Sequence, residues 1–441
     1  MKKLVAILLA LVVLLSCIAC TSANEVQTAA PAAPAAAASE KKADAAPAPA
    51  AAAEKRIVNV FTKKREWDWD AIEAAYEAAN PDIDLVVDAT DAQTYYDLLK
   101  GYLASGDLPD VIQVTSGDVL KNWGEYLVPL DDLDAFNVMS PDVVDEFVIE
   151  GKRFGVPLFS ELHGVIYNMS YLNEAGWTKT PETIDEFVQM NEDLLAKGLP
   201  TGICPWNTGA SILGHMCAAG VFSAEGDAYG YQDKLIAGEA KLTGDEYWEG
   251  LFDFLALTVK YGNPDALVTD NTTERNALYA EEYAWYAHDG SWLTPQIKAT
   301  NPALEDHIAL GVYPFSSDAS KNKIGNSIQG ISVMNTDHAE DAKAFVNWLT
   351  SSEEGCDIQV NKNAVVVLRA DANLTTENVG ALSVQGMEYV ANGKSNANFR
   401  GIPASIQSGF SAALQKFVAD TSDANRAAVF AEIEQLYSTC K

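Results

Sequence analysis

The sequence predicts an α/β protein whose folded part divides into two lobes. Short apolar runs alternate with amphipathic helical patterns from residue 57 onward, which is typical of parallel βαβ units. The residues after position 55 are too numerous for one small hydrophobic core, so they are expected to form two lobes or domains.

The first residues of the sequence predict an export signal. Two lysines precede the apolar run Leu4–Leu15, which is too short to span a bilayer as a helix but fits a secretory h-region. The next residues, LLSCIAC, resemble the lipobox of bacterial lipoproteins. We expect a signal peptide over 1–16 and lipidation at Cys17, with Cys20 as the alternative. A plain signal peptide with incidental cysteines is the other reading.

Residues 17–55 are mostly Ala and Pro and offer nothing to bury. This composition favours an extended, semi-rigid tether. The expected product is anchored by lipid to the outer face of the bacterial cytoplasmic membrane, or is periplasmic, and does not span the membrane.

The formal net charge is −32 at pH 7. Residues 1–55 contain five lysines against four acidic residues, so the negative charge belongs to the folded part. Such a field repels nucleic acid and anionic lipid surfaces. It also argues against an anionic ligand.

The first lobe is predicted from three strands and two helices. IVNVF (57–61), IDLVV (83–87) and VIQV (111–114) are read as strands. Between them, Trp69–Ala79 places apolar residues on one helical face before Asn80-Pro81, and Tyr95–Ala104 is helical up to Gly106.

The pattern becomes more helical after residue 160. Thr180-Pro181 predicts a helix start and Gly198 its end, and Thr243-x-x-Glu246 predicts a capping box for a helix that reaches Tyr261. Strands are expected at 307–315 and 327–334, and helices at 337–351, 405–418 and 424–437.

Motifs for chemistry are lacking in this sequence. It contains no HExxH, GxSxG, P-loop or GxGxxG pattern. Cys204, Cys217, Cys356 and Cys440 match no zinc spacing, and the sequence leaves open whether any two of them form a disulfide. No cofactor, metal site or catalytic residue is therefore predicted.

One stretch resembles a known family. GVPLFSELHGVIYNMSYLNEAGW (155–177) is similar to the signature of extracellular solute-binding proteins of the carbohydrate-binding family (family 1, maltose-binding-protein-like), the partners of ABC importers. Phe159 departs from the pattern, which usually has a small or polar residue there. Further segments fit in the same order, among them LASGDLPDVIQV (103–114), HDGSW (288–292) and AEDAKAFVNWLTSSEEG (339–355).

The resemblance implies a two-lobed periplasmic-binding-protein-like fold of class II, each lobe a β-sheet flanked by helices. The chain is expected to cross between lobes near 160–163, 314–316 and 350–352. One lobe would contain 57–161 with 316–350, and the other 162–315 with 351–441. A ligand would bind in the cleft at the hinge, and closure of the lobes would bury it.

Candidate ligand contacts follow from the resemblance and from strand ends. In the family, the Trp of the Gly-x-Trp segment commonly stacks on a sugar, and Trp292 matches it, with Ser291 in the turn beneath. Glu161 and Trp206 match a ligand-binding acid and a stacking aromatic of similar proteins. Because ligands in open α/β sheets bind outside the carboxyl ends of strands, three residues that follow predicted strands are added: Trp67, Ser116 and Asp118.

The resulting hypothesis is a monomeric receptor that captures a sugar or oligosaccharide and delivers it to a membrane permease, without catalysis. Two alternatives remain at this point. One is a surface carbohydrate hydrolase with a similar cleft, and the other is a binding protein for a different solute, such as a polyol phosphate or a peptide.

Overall fold

The computed structural model describes residues 55–91, 94–115, 118–208, 220–225, 228–396, 402–403 and 405–440, all within one structural unit. The strands of these ranges are β1 (Arg56–Thr62), β2 (Ile83–Ala89), β3 (Val111–Thr115), β4 (Val148–Ile149), β5 (Lys152–Arg153), β6 (Val156–Asn168), β7 (Gly202–Ile203), β8 (Trp285–Gly290), β9 (Ile308–Gly311), β10 (Ile324–Val333), β11 (Val366–Val367) and β12 (Ser395–Asn396).

Helices surround the strands. Their bounds are Trp69–Ala79, Tyr95–Ser105, Asp118–Trp123, Ala135–Val138, Met169–Ala175, Ile184–Ala196, Ala228–Ala237, Glu246–Tyr261, Asn271–Tyr279, Thr294–Thr300, Ala339–Ser351, Glu353–Asn361, Thr376–Val379, Ala381–Ala391, Gln407–Ala419 and Asp423–Ser438. Within the described ranges, no helix has both the length and the apolar character needed to cross a membrane.

A mixed sheet runs through the described part of the chain in the order β2-β1-β3-β10-β6-β8-β7, with β9 and β11 also paired to β6 and β12 to β10. Strands β1, β2 and β3 are parallel, as helical crossovers require. Strand β10 returns from far along the chain and inserts antiparallel between β3 and β6. The predicted α/β class is confirmed.

Strand β6 is the longest in the described chain and changes partners along its length. Its first part pairs with β10 as far as His163, and from His163 onward it pairs with β8 and β9. It is buried almost throughout, which normally calls for a continuous apolar run. Glu161 and His163 break that run at the place where the partners change.

The helix Trp69–Ala79 has the predicted bounds. The Asp68 side chain accepts a hydrogen bond from the Ala71 amide and caps its first turn. Trp69, Ile72 and Tyr76 are its buried residues, and each contributes about 1.5–3 kcal/mol by leaving water.

Two predicted helix starts are wrong. The helix expected at Thr180 begins at Ile184, because Thr183 is the residue whose side chain accepts from a first-turn amide. The Thr243 capping box is also wrong, since Asp245 caps the helix and accepts from the Tyr247 and Trp248 amides. The strand expected over 307–315 is shorter, and β9 covers only Ile308–Gly311.

Three clusters of buried apolar side chains form the core. The first draws its residues from Val165 onward, and the third lies among residues 61–149 and 328–368. The second cluster contains Ile83 and Leu85 of β2 as well as Ile203 of β7, and it therefore includes residues from both ends of the long sheet.

Candidate ligand-binding site

Four segments meet around a pocket beside strand β6. They are the turn after β1, the middle of β6, the turn after β8, and the stretch that leads into β11. The lining residues are Lys64, Glu66, Trp67, Phe159, Ser160, Glu161, Ser291, Trp292, Pro295, Asn363, Ala364, Val365 and Val366. The space between them is about 330 Å³ when the mouth open to solvent is included.

A buried lysine links two carboxylates in this pocket. The Lys64 ammonium lies 2.7 Å from Glu161 Oε1 and 3.2 Å from Glu66 Oε1. Its side chain is 10% exposed and that of Glu161 is 13% exposed. Burial alone would lower the pKa of Lys64, but the attraction of Glu161 and Glu66 outweighs burial, and the pKa is raised.

The other oxygen of Glu161 is held from the opposite side. Gln329 Nε2 on β10 donates to Glu161 Oε2 at 3.0 Å. Gln329 is completely buried, and its carbonyl oxygen lies 3.5 Å from Gln113 Nε2 on β3. A polar network therefore fixes the Glu161 carboxylate from both sides.

One wall of the pocket is aromatic. Trp67 stacks on Trp69 with ring centroids 5.4 Å apart, and Phe159 lies 5.3 Å from Trp67. The turn is fixed by Trp69 Nε1, which donates to the Lys64 carbonyl at 2.8 Å. The Lys64 ammonium is 5.1 Å from the Phe159 ring centroid, within the range of a cation–π contact. Phe159, the departure from the family pattern, is thus part of the lining.

Trp292 is half-buried on another side of the pocket. Its ring lies 6.0 Å from the rings of His163 and His288. Both histidines place Nδ1 against the hydroxyl of Tyr313, at 2.9 Å for His163. Ser291 Oγ accepts from the Leu162 amide of β6 at 3.1 Å, which ties the turn to the central strand.

An ion pair between a buried carboxylate and a partly exposed arginine holds the same turn from the other side. Asp289 is 1% exposed, and Arg275 Nε and Nη2 donate to its two oxygens at 2.8 and 3.0 Å. Such paired, parallel hydrogen bonds are specific in geometry as well as strong. The attraction of Asp289 raises the pKa of Arg275 further above its usual value.

The structure brings four of the predicted site residues together: Trp292, Glu161, Trp67 and Ser291 all line the pocket. Trp206 lies elsewhere, completely buried in the first core cluster. The predicted Ser116 lies outside the described residues. Asp118 begins the helix Asp118–Trp123, and its side chain also lies outside the description. The predicted lipidation sites, Cys17 and Cys20, precede the described ranges.

Sequence reasoning missed several lining residues. Lys64 could have been found, because it follows β1 just as Trp67 does. Asn363 and Ala364 carried no signal, since they lie in a short connection far along the chain from the other pocket segments. Gln329, which does not line the pocket but donates to Glu161, was also missed, because its segment was read only as a strand.

The remaining expectations concern metals and cysteines. Among the described residues, no group of three or more His, Cys, Asp or Glu side chains could hold a metal ion. Cys204, Cys356 and Cys440 are free thiols. Burial raises the pKa of the Cys204 thiol well above its usual value, so this thiol is protonated and unreactive.

The pocket and the fold define a ligand-binding α/β protein, and comparison with known proteins identifies its family. A family model described as "Bacterial extracellular solute-binding protein" matches residues 60–355. The protein belongs to this family, and the resemblance found in its sequence is confirmed.

Relatives and solved structures agree with this assignment. The "Multiple sugar-binding protein" of Streptococcus mutans serotype c is 26% identical over 362 residues, which is 76% of this chain and 82% of that protein. The structure of the solute-binding protein RafE in complex with raffinose has a TM-score of 0.73 at 18% identity and covers 87% of this chain and 99% of its own.

The solute receptor AcbH, described as having an exclusive preference for β-D-galactopyranose, has a TM-score of 0.72 at 17% identity and covers 88% of this chain and 99% of its own. At such identities these likenesses show the fold, which is the predicted fold of the two-lobed solute-binding proteins.

Proposed function

We propose that this protein is the substrate-binding receptor of an ABC importer and captures a neutral sugar or oligosaccharide in the pocket beside β6. The observation that carries the proposal is the composition of the pocket. Indole faces of Trp67 and Trp292 suit the apolar C–H faces of a pyranose, and the polar groups between them suit its hydroxyls. The family assignment and the sugar-binding relatives support it.

The charges of the pocket favour a neutral guest. Lys64, Glu66 and Glu161 together leave one net negative charge, and Lys64 is already bonded to both carboxylates. A phosphate or carboxylate ligand would meet this negative charge without a spare cation among the lining residues. A sugar hydroxyl can donate to the carboxylates and accept from the ammonium.

The same arrangement argues against hydrolysis. Glycoside hydrolases use a pair of carboxyl groups, one of which gives its proton to the leaving-group oxygen of the substrate, whereas Glu66 and Glu161 are both engaged by the Lys64 ammonium. Function would then come only from the difference in ligand affinity between the open and the closed conformation, because a ligand that binds the closed conformation better shifts the population toward it. Incubation with oligosaccharides should give no products.

Closure would occur between two lobes. The proposed boundary assigns 57–161 with 316–350 to one lobe and 162–315 with 351–441 to the other. The change of β6 partners at His163 supports a crossing at 160–163. Solution scattering with and without a bound sugar would test closure, and light scattering would test the proposed monomer.

A lipid anchor would keep the receptor next to its permease. The proposal is lipidation at Cys17, with Cys20 as the alternative, after removal of 1–16, and a tether over 17–55. Metabolic labelling with a palmitate analogue should be lost in Cys17→Ser and retained in Cys20→Ser. The reverse result would move the anchor to Cys20, and labelling in both variants would refute lipidation at either single site.

Binding itself is tested by calorimetry with raffinose, lactose and D-galactose. Trp292→Ala should weaken binding about five- to a hundredfold, if a sugar ring stacks on the indole as strongly as a nucleic-acid base, for which stacking is worth about 1–3 kcal/mol. Trp177→Ala is the matched control, because Trp177 is also half-buried but packs against the first core cluster. Equal effects of the two substitutions would refute the role of Trp292.

A further inference from the structure

One polar side chain in the pocket wall lacks a partner for its donor. Asn363 lines the pocket and is 4% exposed. Its Oδ1 accepts from the Asp68 amide at 2.7 Å. Its Nδ2 is buried and has no hydrogen-bond partner among the described residues. Buried amide donors without a partner are uncommon in folded proteins, and each one calls for an explanation.

The orientation of this amide is fixed. If the Asn363 side chain were flipped, its NH₂ group would face the Asp68 N–H, and two donors would meet. Oδ1 must therefore point to Asp68, and Nδ2 must occupy the other side. Asp68 caps the helix Trp69–Ala79 and follows Trp67 directly, so the bond also fixes Asn363 relative to the aromatic wall.

The backbone beside Asn363 has an unusual conformation. Ala364 has φ = +53°, the left-handed region that non-glycine residues rarely adopt. Its neighbours on both sides, Asn363 and Val365, line the pocket together with it. Backbone conformations of this kind persist where the surroundings over-determine them, and they cluster at ligand sites.

We propose that Asn363 is a specificity-determining residue that donates a hydrogen bond from Nδ2 to an oxygen of the bound sugar. The inference rests on the proposed function and extends it to the chemistry of one ligand position. The group facing Asn363 must be an acceptor, such as a hydroxyl or ring oxygen. A ligand with an ammonium group or a deoxy carbon at this position would leave the donor unmatched.

The test replaces the Nδ2 donor of Asn363 with an acceptor and measures sugar binding. Asn363→Asp keeps an oxygen for the Asp68 amide and replaces Nδ2 by a second oxygen of the same size. Asn361→Asp is the matched control, because it adds the same charge two residues away on an exposed side chain outside the lining. Each protein is titrated with raffinose, lactose and D-galactose, and then with monodeoxy derivatives of the tightest binder.

We expect one deoxy derivative to bind wild-type protein about tenfold more weakly, because an unmatched buried donor costs that order of affinity. Asn363→Asp should weaken the parent sugar about tenfold, because the facing hydroxyl must then donate to the new oxygen instead of accepting from Nδ2. Asn363→Ala, which adds no charge, should abolish the same discrimination and serves if the Asp variant does not fold.

Wild-type affinity and an unchanged ranking of the derivatives in both variants would overturn the assignment of Asn363. Binding of no sugar by wild-type protein is a different result. It would overturn the proposed function, and with it the ligand class inferred here.

Discussion

Replacing Lys64 by Met should destabilise the protein strongly at neutral pH. The substitution keeps the unbranched stem beside Phe159 but removes the ammonium that lies between Glu161 and Glu66. Removing one partner of a buried ion pair generally costs about 3–5 kcal/mol. Because Gln329 still donates to Glu161 and both side chains of the pair retain slight exposure, we expect the lower value, about 3 kcal/mol.

The loss should depend on pH in a defined direction. Without its cation, a buried carboxylate has a folded pKa above its unfolded one. It then destabilises the fold at neutral pH, and the penalty shrinks as the pH falls toward the raised pKa. Urea unfolding of Lys64→Met at pH 7 and pH 5 should therefore show the larger deficit at pH 7.

Wild-type protein should differ from the variant at high pH. The pKa of Lys64 is raised in the folded state, so its contribution is fully present below the unfolded pKa. It should be lost as the pH rises through the folded pKa.

Two further variants make this reasoning refutable. Lys100→Met removes an exposed ion pair with Asp97, whose side chains are 68% and 83% exposed, and should have little effect. Lys64→Met combined with Glu161→Gln should recover more than half of the loss, because removing both partners is close to neutral. If Lys64→Met lowered the free energy of unfolding at pH 7 no more than Lys100→Met does, the Lys64–Glu161 ion pair would not behave as a buried pair, and the reasoning would be refuted.

Three further outcomes are expected. Arg275→Met should cost about 2 kcal/mol in urea unfolding, less than the roughly 3–5 kcal/mol of a fully buried pair, because Asp289 loses its cation but the Arg275 side chain is 35% exposed. It should also weaken sugar binding by releasing the turn of Trp292. Burial would raise the pKa of Glu281, but its hydrogen bonds outweigh burial and lower that pKa. Its contribution to the free energy of unfolding is therefore present above the unfolded pKa of about 4.3 and is lost as the pH falls through the folded pKa. In Glu281→Gln, the free energy of unfolding should consequently depend less on pH below pH 4. Ala364→Gly should be nearly neutral and Ala364→Val clearly destabilising, by about 1–3 kcal/mol, because a β-branched residue fits φ = +53° poorly.

Local signals predicted helices and strands well where a single pattern was present. The helix Trp69–Ala79 was placed correctly because its apolar face, Asp68 cap and Asn80-Pro81 stop agree. Where several cap residues stood close together, the sequence could not rank them. In the structure, Thr183 and Asp245 rather than Thr180 and Thr243 accept from the first-turn amides, and all four are residue types that cap helices well.

The site was predictable only in part, for a related reason. Trp292, Glu161 and Trp67 were found from a motif and from the rule on strand ends. Asn363 lies in a connection far along the chain, and the hydrogen bond that links it to Asp68 joins residues 295 positions apart. Contacts between residues so far apart produce no local sequence pattern from which they could be predicted.

Strand β6 was not predicted as one long strand because its sequence breaks the rule for buried strands. Glu161 and His163 interrupt an otherwise apolar stretch. Each is satisfied by a partner brought from elsewhere: Glu161 by Lys64, and His163 by Tyr313. Conflicts between a local rule and the fold are expected at functional sites, and here the conflict lies where β6 passes the pocket.

Each residue of the turn Asp289-Gly290-Ser291-Trp292 has a structural reason to be where it is. Asp289 locks the end of β8 to Arg275. A Cβ on Gly290 would lie 2.4 Å from the Leu162 carbonyl oxygen, so only glycine lets β8 approach β6 this closely. Ser291 then accepts from the Leu162 amide. Asp289, Gly290 and Ser291 thus hold the backbone of the turn, and the next residue, Trp292, places its ring against the pocket.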